Sequence, residues 1–223
     1  MKKILFAGYR DWSIDVFGCV RSSFTHDELM LRRVRSQDEL EFRARTEDWD
    51  ALILMGWSWK IPADIINKML VVGMHPSDLP AYAGGSPIQN QIIDGLKESK
   101  ATLFKLNENF DSGEIIAKQS YSLEGHLGHV FDEIMNASIC LVCQFIKAYP
   151  NVNLVPQGEG GFTRKRLKPE QSTLTREQFD KMKCNELYDF IRCREDPYPN
   201  VVLEDETGEL IFTRVEFRPR VQS

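Results

Sequence analysis

Residues 71–87 read VVGMHPSDLPAYAGGSP, and the parsing of this stretch decides the fold. The apolar run Met69-Leu70-Val71-Val72 has the length of a buried strand, and Pro and Gly punctuate the residues after it. The pattern predicts a strand over 70–75 that carries His75 to, or just past, its carboxyl end. That is where open parallel sheets bind their ligands. A second loop, NFDSGEII at 109–116, brings Asp111 36 residues after His75. A histidine and an acid delivered to one edge of a sheet suit a general base and its partner.

The chain before this stretch alternates strand and helix. Strands are expected at 3–7, 29–34 and 51–55. Helices are expected at 12–21, with Trp12, Val16, Phe17 and Val20 at helical spacing, at 36–43, and from Pro62 to about 69. Another is expected at 86–96. Such alternation implies a doubly wound parallel sheet. Gly8 alone is no dinucleotide fingerprint. After Lys100 the pattern changes: 101–106 and 114–123 read as strands, and the link between them is too short for a crossover helix. They are expected to form a hairpin. A long helix comes next at 130–148, then a linker at 150–161. Beyond it lie a basic stretch at 162–172, two short helices within 175–194, and a last hairpin, 201–205 with 209–217. The reading is α/β: a Rossmann-like, mostly parallel sheet over 1–160, with a small C-terminal α+β appendage over 161–223.

Composition narrows the function. A net charge of −5 disfavours a nucleic-acid surface, which needs excess Lys and Arg. The apolar run after Lys2-Lys3 is too short for a signal peptide, and no stretch approaches the roughly 18 apolar residues of a membrane span. Five scattered cysteines without a secretion signal suggest reduced thiols and a cytoplasmic protein.

The motif His75-Pro76-Ser77-Asp78-Leu79-Pro80, then Gly84-Gly85-Ser86-Pro87-Ile88, then Phe110-Asp111-Ser112-Gly113-Glu114-Ile115, resembles the core of the folate-dependent formyltransferases. That family includes methionyl-tRNA, glycinamide ribonucleotide and nucleotide-sugar N-formyltransferases. RKRLKPEQS at 164–172 and LYDFIRCREDPYP at 187–199 resemble the linker and C-terminal segment of its sugar-modifying members and their tRNA relatives. The resemblance implies 10-formyltetrahydrofolate as co-substrate, no metal, and an amine acceptor. It makes His75 the group that handles the proton and helps bind the oxyanion, with Asp111 holding it. Gly56, Trp57, Ile61, Ser77, Asp78, Leu79, Pro80 and Asp111 are the expected folate contacts. Tyr9, Arg10, Gln89 and Asn90 are expected on the acceptor side, Arg10 against a phosphate or carboxylate. A homodimer is compatible with the family.

One departure stands out. The family's asparagine, an oxyanion donor two residues before the histidine, falls on Gly73. Loss of such a donor costs on the order of 10²–10³ in rate in other enzymes. Gln89, Asn90 or a backbone N–H are the candidate replacements. The acceptor expected is a small molecule, a nucleotide-linked amino sugar, with no nucleic acid and no membrane partner. Other readings are a folate-binding pseudoenzyme or regulatory protein, hydrolysis of formyltetrahydrofolate, and formylation of methionyl-tRNA or glycinamide ribonucleotide.

Plainer readings stand beside these. Asp111-Ser112-Gly113 taken alone is an ordinary turn, and Asp78 is equally suited to capping its own loop. Trp57 and Trp59, two apart, would face opposite ways if extended. Cys140 and Cys143 read as buried core, and His126 and His129 as capping or solvent-facing, not metal ligands. Arg164-Lys165-Arg166 reads as a solvated strand.

Overall fold

The computed structural model describes residues 1–109 and 111–220; Phe110 of the second motif lies outside them. In chain order the elements are β1 (Lys2–Ala7), α1 (Asp11–Ser22), β2 (Leu29–Val34), α2 (Gln37–Thr46), β3 (Ala51–Leu54), α3 (Ala63–Lys68) and β4 (Leu70–His75). Then come β5 (Ala83–Gly84), α4 (Pro87–Ile93), β6 (Glu98–Lys105), β7 (Ile115–Ser122) and α5 (Leu127–Ala148). The C-terminal part holds β8 (Thr163–Arg164), β9 (Thr173–Leu174), α6 (Arg176–Lys181), α7 (Cys184–Arg192), β10 (Val201–Asp205) and β11 (Gly208–Phe212).

The main sheet runs β2-β1-β3-β4-β6-β7. Its first four strands are parallel, and β6 and β7 are antiparallel additions. β1, β3 and β4 are buried on both faces, so they read as continuous apolar runs and not as alternating ones. One face is covered by α1 and α5, whose Val16, Val20, Val130, Ile134, Leu141 and Phe145 join Ile4, Phe6, Ile53 and Val72 in the larger core. The other is covered by α2 and α3, through Leu40, Ala44 and Ile65 on Leu5, Leu52, Leu54 and Val71. Each of the Val, Leu, Ile and Phe side chains contributes roughly 1.5–3 kcal/mol on full burial.

α5, at 22 residues, is long and apolar enough to cross a membrane, but its apolar stripe lies in this core. Local chemistry marks the helix ends: Ser36 accepts from the Glu39 N–H to cap α2, and Thr175 and Gln178 close a capping box at α6.

The structure corrects two expectations. Pro62 precedes α3 as its N-cap and is not its first helical residue. The stretch 150–161 does not run free as a linker. Val155 exchanges backbone hydrogen bonds with Ile115, and β8 pairs in parallel with β5. The chain after α5 is therefore strapped back onto the sheet. The C-terminal elements gather around Leu174, Ile191 and Val201, with β9, β10 and β11 as a small sheet. Arg192, almost fully buried, ties them to the main body by donating to the carbonyls of Leu123 and Gly125.

Candidate active site

Three parallel strands end together, since Ala7 pairs with Leu54 and Leu54 with Gly73. The loops after them therefore open on one edge: Tyr9-Arg10 after β1, 56–62 after β3, and His75 with its loop after β4. Gly56 makes the turn out of β3 at φ +63, where the Trp12 ring leaves no room for a Cβ.

His75 is buried, only 7% exposed. Its Nε2 lies 2.9 Å from the Tyr82 carbonyl oxygen, which can only accept, so Nε2 carries a hydrogen in this arrangement. Its Nδ1 stands 3.6 Å from Asp111 Oδ2. That oxygen accepts from the Gly84 N–H at 2.9 Å. Asp111 sits in the left-handed region, φ 50.

The two groups meet, but not as two loops on one edge. β6 runs antiparallel to β4, with Lys105 opposite Val72 and Thr102 opposite His75. The loop after β6 thus leaves at the far end of β4 and folds back across the sheet face to bring Asp111 to His75. Residues 71, 73 and 75 share that face by strand alternation. Gly73, buried in the strand, makes room there. A Cβ at this position would lie 2.8 Å from Leu106 Cδ1 and 3.4 Å from the Phe104 ring. Space that a side chain at 73 would fill is already taken by Leu106.

The other candidates divide. Tyr9, Trp57 and Trp59 form one aromatic cluster, the Trp rings 4.9 Å apart and Tyr9 4.9 Å from Trp59. The loop is not extended, so the two tryptophans do not point apart. Trp57 is anchored by its Nε1, which donates to Gln37, while Trp59 is 46% exposed. Arg10 lies over the Tyr9 ring, 5.3 Å from its centre. Among the described residues, none accepts from the backbone N–H groups of residues 56–60. Free N–H groups beside aromatic faces fit the polar edge of a planar heterocycle.

Ile61 and Leu79 are buried in apolar clusters, beneath the surface a ligand would touch. Ser77 donates to the Ala81 carbonyl and orders the loop. Pro80 packs so closely on Gly161 that a Cβ there would lie 2.5 Å away. The Asp78 carboxylate does not cap its own loop: it pairs with Lys100 and Lys118. Burial raises its carboxyl pKa, but the two ammonium groups outweigh that and hold it below the ordinary range. Asn90 is occupied, donating to Gly85 and Lys165 carbonyls, and Gln89 is buried on α4.

Outside the site, Cys140 is exposed, against the expectation of a buried core residue. No group of His, Cys, Asp and Glu among the described residues could hold a metal. His126 pairs with Glu195 at 2.7 Å, and the same carboxylate caps α5 through the Leu127 N–H. Arg164 is no free cation; it pairs with Asp94, which also accepts from the Tyr82 hydroxyl at 2.8 Å.

Sequence reasoning missed the groups that hold this arrangement. Gln157, read as linker, donates from Nε2 to the carbonyls of Asp111 and Gly113, each at 2.8 Å. Tyr82 and Gly84 hold His75 and Asp111 through backbone atoms, which carry no residue-type signal.

A mostly parallel α/β sheet with a His–Asp pair at the end of its fourth strand matches the formyltransferase fold. Residues 16–126 match the formyl transferase family model. It is 30% identical to methionyl-tRNA formyltransferase of Rickettsia prowazekii over 122 residues, which are 52% of this chain and 40% of that protein. The chain thus spans less than half the length of the curated relatives it matches. Among solved structures, methionyl-tRNA formyltransferase from Clostridium thermocellum superposes with TM-score 0.85 at 26% identity, covering 98% of this chain and 94% of that one. A sugar N-formyltransferase from Shewanella sp FDAARGOS_354 shares the fold, with TM-score 0.78 at 12% identity over 99% and 100% of the two chains.

Proposed function

We propose that this protein transfers a formyl group from 10-formyltetrahydrofolate to the amine of a small acceptor, a nucleotide-linked amino sugar. The observation that carries the proposal is the His75–Asp111 pair, held by Gly84 and Tyr82 on the sheet face below the ligand edge. In the reaction the bond from formyl carbon to the folate nitrogen breaks, and a bond to the acceptor nitrogen forms. The acceptor loses one proton and the folate nitrogen gains one. With its Nδ1–H toward Asp111, His75 is placed to turn its Nε2–H from the Tyr82 carbonyl to the developing oxyanion, to pass that proton to the folate nitrogen and to take the acceptor's proton at the same atom. Asp111 steadies the imidazolium formed on the way.

The aromatic cluster and the free N–H groups of 56–60 suit the pterin, with the buried Ile61 and Leu79 as support behind it. Asp78, paired with two lysines, serves the loop that carries His75. The acceptor assignment is supported by the chain's net charge of −5, which disfavours an RNA backbone, and by Arg10 beside the aromatic rings. The five free thiols suit a reducing compartment. Residues 1–160 as the catalytic part and 161–223 as its appendage belong to the same proposal.

The test is mass spectrometry of nucleotide amino sugars incubated with protein and 10-formyltetrahydrofolate. An acceptor gaining the mass of one CO supports the proposal and names the acceptor. Gain on methionyl-tRNA alone would reassign the acceptor, and no gain on any amine would remove the activity.

A further inference from the structure

We propose that Gln157 is a positioning residue that sets Asp111 against His75; this rests on the catalytic reading above. Asp111 occupies a left-handed backbone conformation that a non-glycine residue holds only when its surroundings enforce it. Two restraints are visible. The Gly84 N–H fixes the carboxylate, and the Gln157 amide fixes the backbone by bridging the carbonyls of Asp111 and Gly113. One NH₂ group satisfies two carbonyls that point the same way, which locks the turn between them.

Both restraints are tied to one piece of chain. Val155 is bonded to Ile115, just past the Asp111 turn. Six residues after Gln157, β8 begins and pairs with β5, where the Gly84 N–H is placed. A Cβ on Gly84 would lie 2.6 Å from the Arg164 carbonyl, and one on Gly85 2.3 Å from the Arg166 nitrogen, so the contact is backbone against backbone. Leu167 then donates to Ser86 Oγ. Residues 155–167 therefore set the relative position of the Asp111 turn and the Gly84 amide. The segment after α5 completes the site instead of merely connecting two parts.

Gln157→Met keeps the side-chain shape and removes both donors; Gln157→Glu puts an acceptor against two carbonyls. Both variants should lower kcat at least tenfold while the KM for 10-formyltetrahydrofolate changes less than threefold. A double-mutant cycle separates positioning from general support. In the Asp111→Asn background, Gln157→Met should cost less than twofold more, because it acts through Asp111. Hydrogen exchange gives a readout without turnover: the Gly84 amide should exchange at least tenfold faster in Gln157→Met. Slow Gly84 exchange in the variant, or an undiminished effect in the Asp111→Asn background, would overturn the proposal. If the parent transfers no formyl group, the exchange result still decides the positioning, and only the catalytic reading falls.

Discussion

Asp111 Oδ2 stands 3.6 Å from His75 Nδ1, although the two residues leave strands that run in opposite directions. The distance is longer than a hydrogen bond, and the carboxylate is held instead by the Gly84 N–H. The pair is preset by backbone contacts and has room to close when an acceptor arrives.

If this pair runs the chemistry, His75→Asn should remove most turnover and leave folate affinity nearly unchanged. Asp111→Asn should lower kcat severely as well, since the imidazole loses its orienting anion. Both variants keeping kcat within about threefold of the parent, less than ~1 kcal/mol on the barrier, would rule the pair out.

Glycines separate into two kinds. At Gly113 a Cβ would lie 1.6 Å from the Lys105 carbonyl, so Gly113→Ala must displace backbone and should cost about 3 kcal/mol in urea unfolding. Gly18, exposed inside α1 with nothing within 4 Å of its missing Cβ, should do the opposite. Gly18→Ala should gain about 1 kcal/mol. Equal effects at the two sites would contradict the packing described.

Acid should weaken the loop that carries His75. The Asp78 carboxyl is held below its ordinary range in the folded state, where Lys118 and Lys100 outweigh the cost of burial. A depressed acid contributes stability that is present above its unfolded pKa, about 3.9, and lost as pH falls through the folded value. The advantage of the parent over Asp78→Asn should therefore be constant near neutrality and shrink below about pH 4. Its half-exposed setting keeps the effect small. A difference that grew on acidification would refute the assignment.

Thiol labelling should report the fold directly. Burial pushes the Cys193 thiol up to about 11, despite Arg194 beside it, while Cys19, Cys140 and Cys184 are exposed. A thiol raised in this way favours the folded state below its unfolded pKa, about 8.5, and that preference is lost as pH rises through 11. Iodoacetamide at mildly alkaline pH should modify the three exposed cysteines first and reach Cys193 only on unfolding. Early modification of Cys193 would mean that α7 does not dock as described.

The sequence alone determined the strand β4, the alternation that builds the parallel sheet and the hairpin β6–β7, and it singled out His75 and Asp111 as the candidate pair. These come from local signals: apolar runs of strand length, helical spacing, Pro and Gly at the ends, and a motif with fixed spacing. Only the tertiary structure decided how the two residues meet. Asp111 comes across the sheet face because β6 is antiparallel, Gly73 leaves the space that Leu106 takes, and Trp57 and Trp59 share one cluster because their loop is bent. The Gly84 N–H and the Tyr82 carbonyl hold the site through backbone atoms, and Gln157 holds it by a side-chain amide set on two backbone carbonyls. Every residue has an N–H or C=O to offer, proline lacking only the donor, so composition and spacing cannot say which of them face a carboxylate or an imidazole; long-range packing alone selects them.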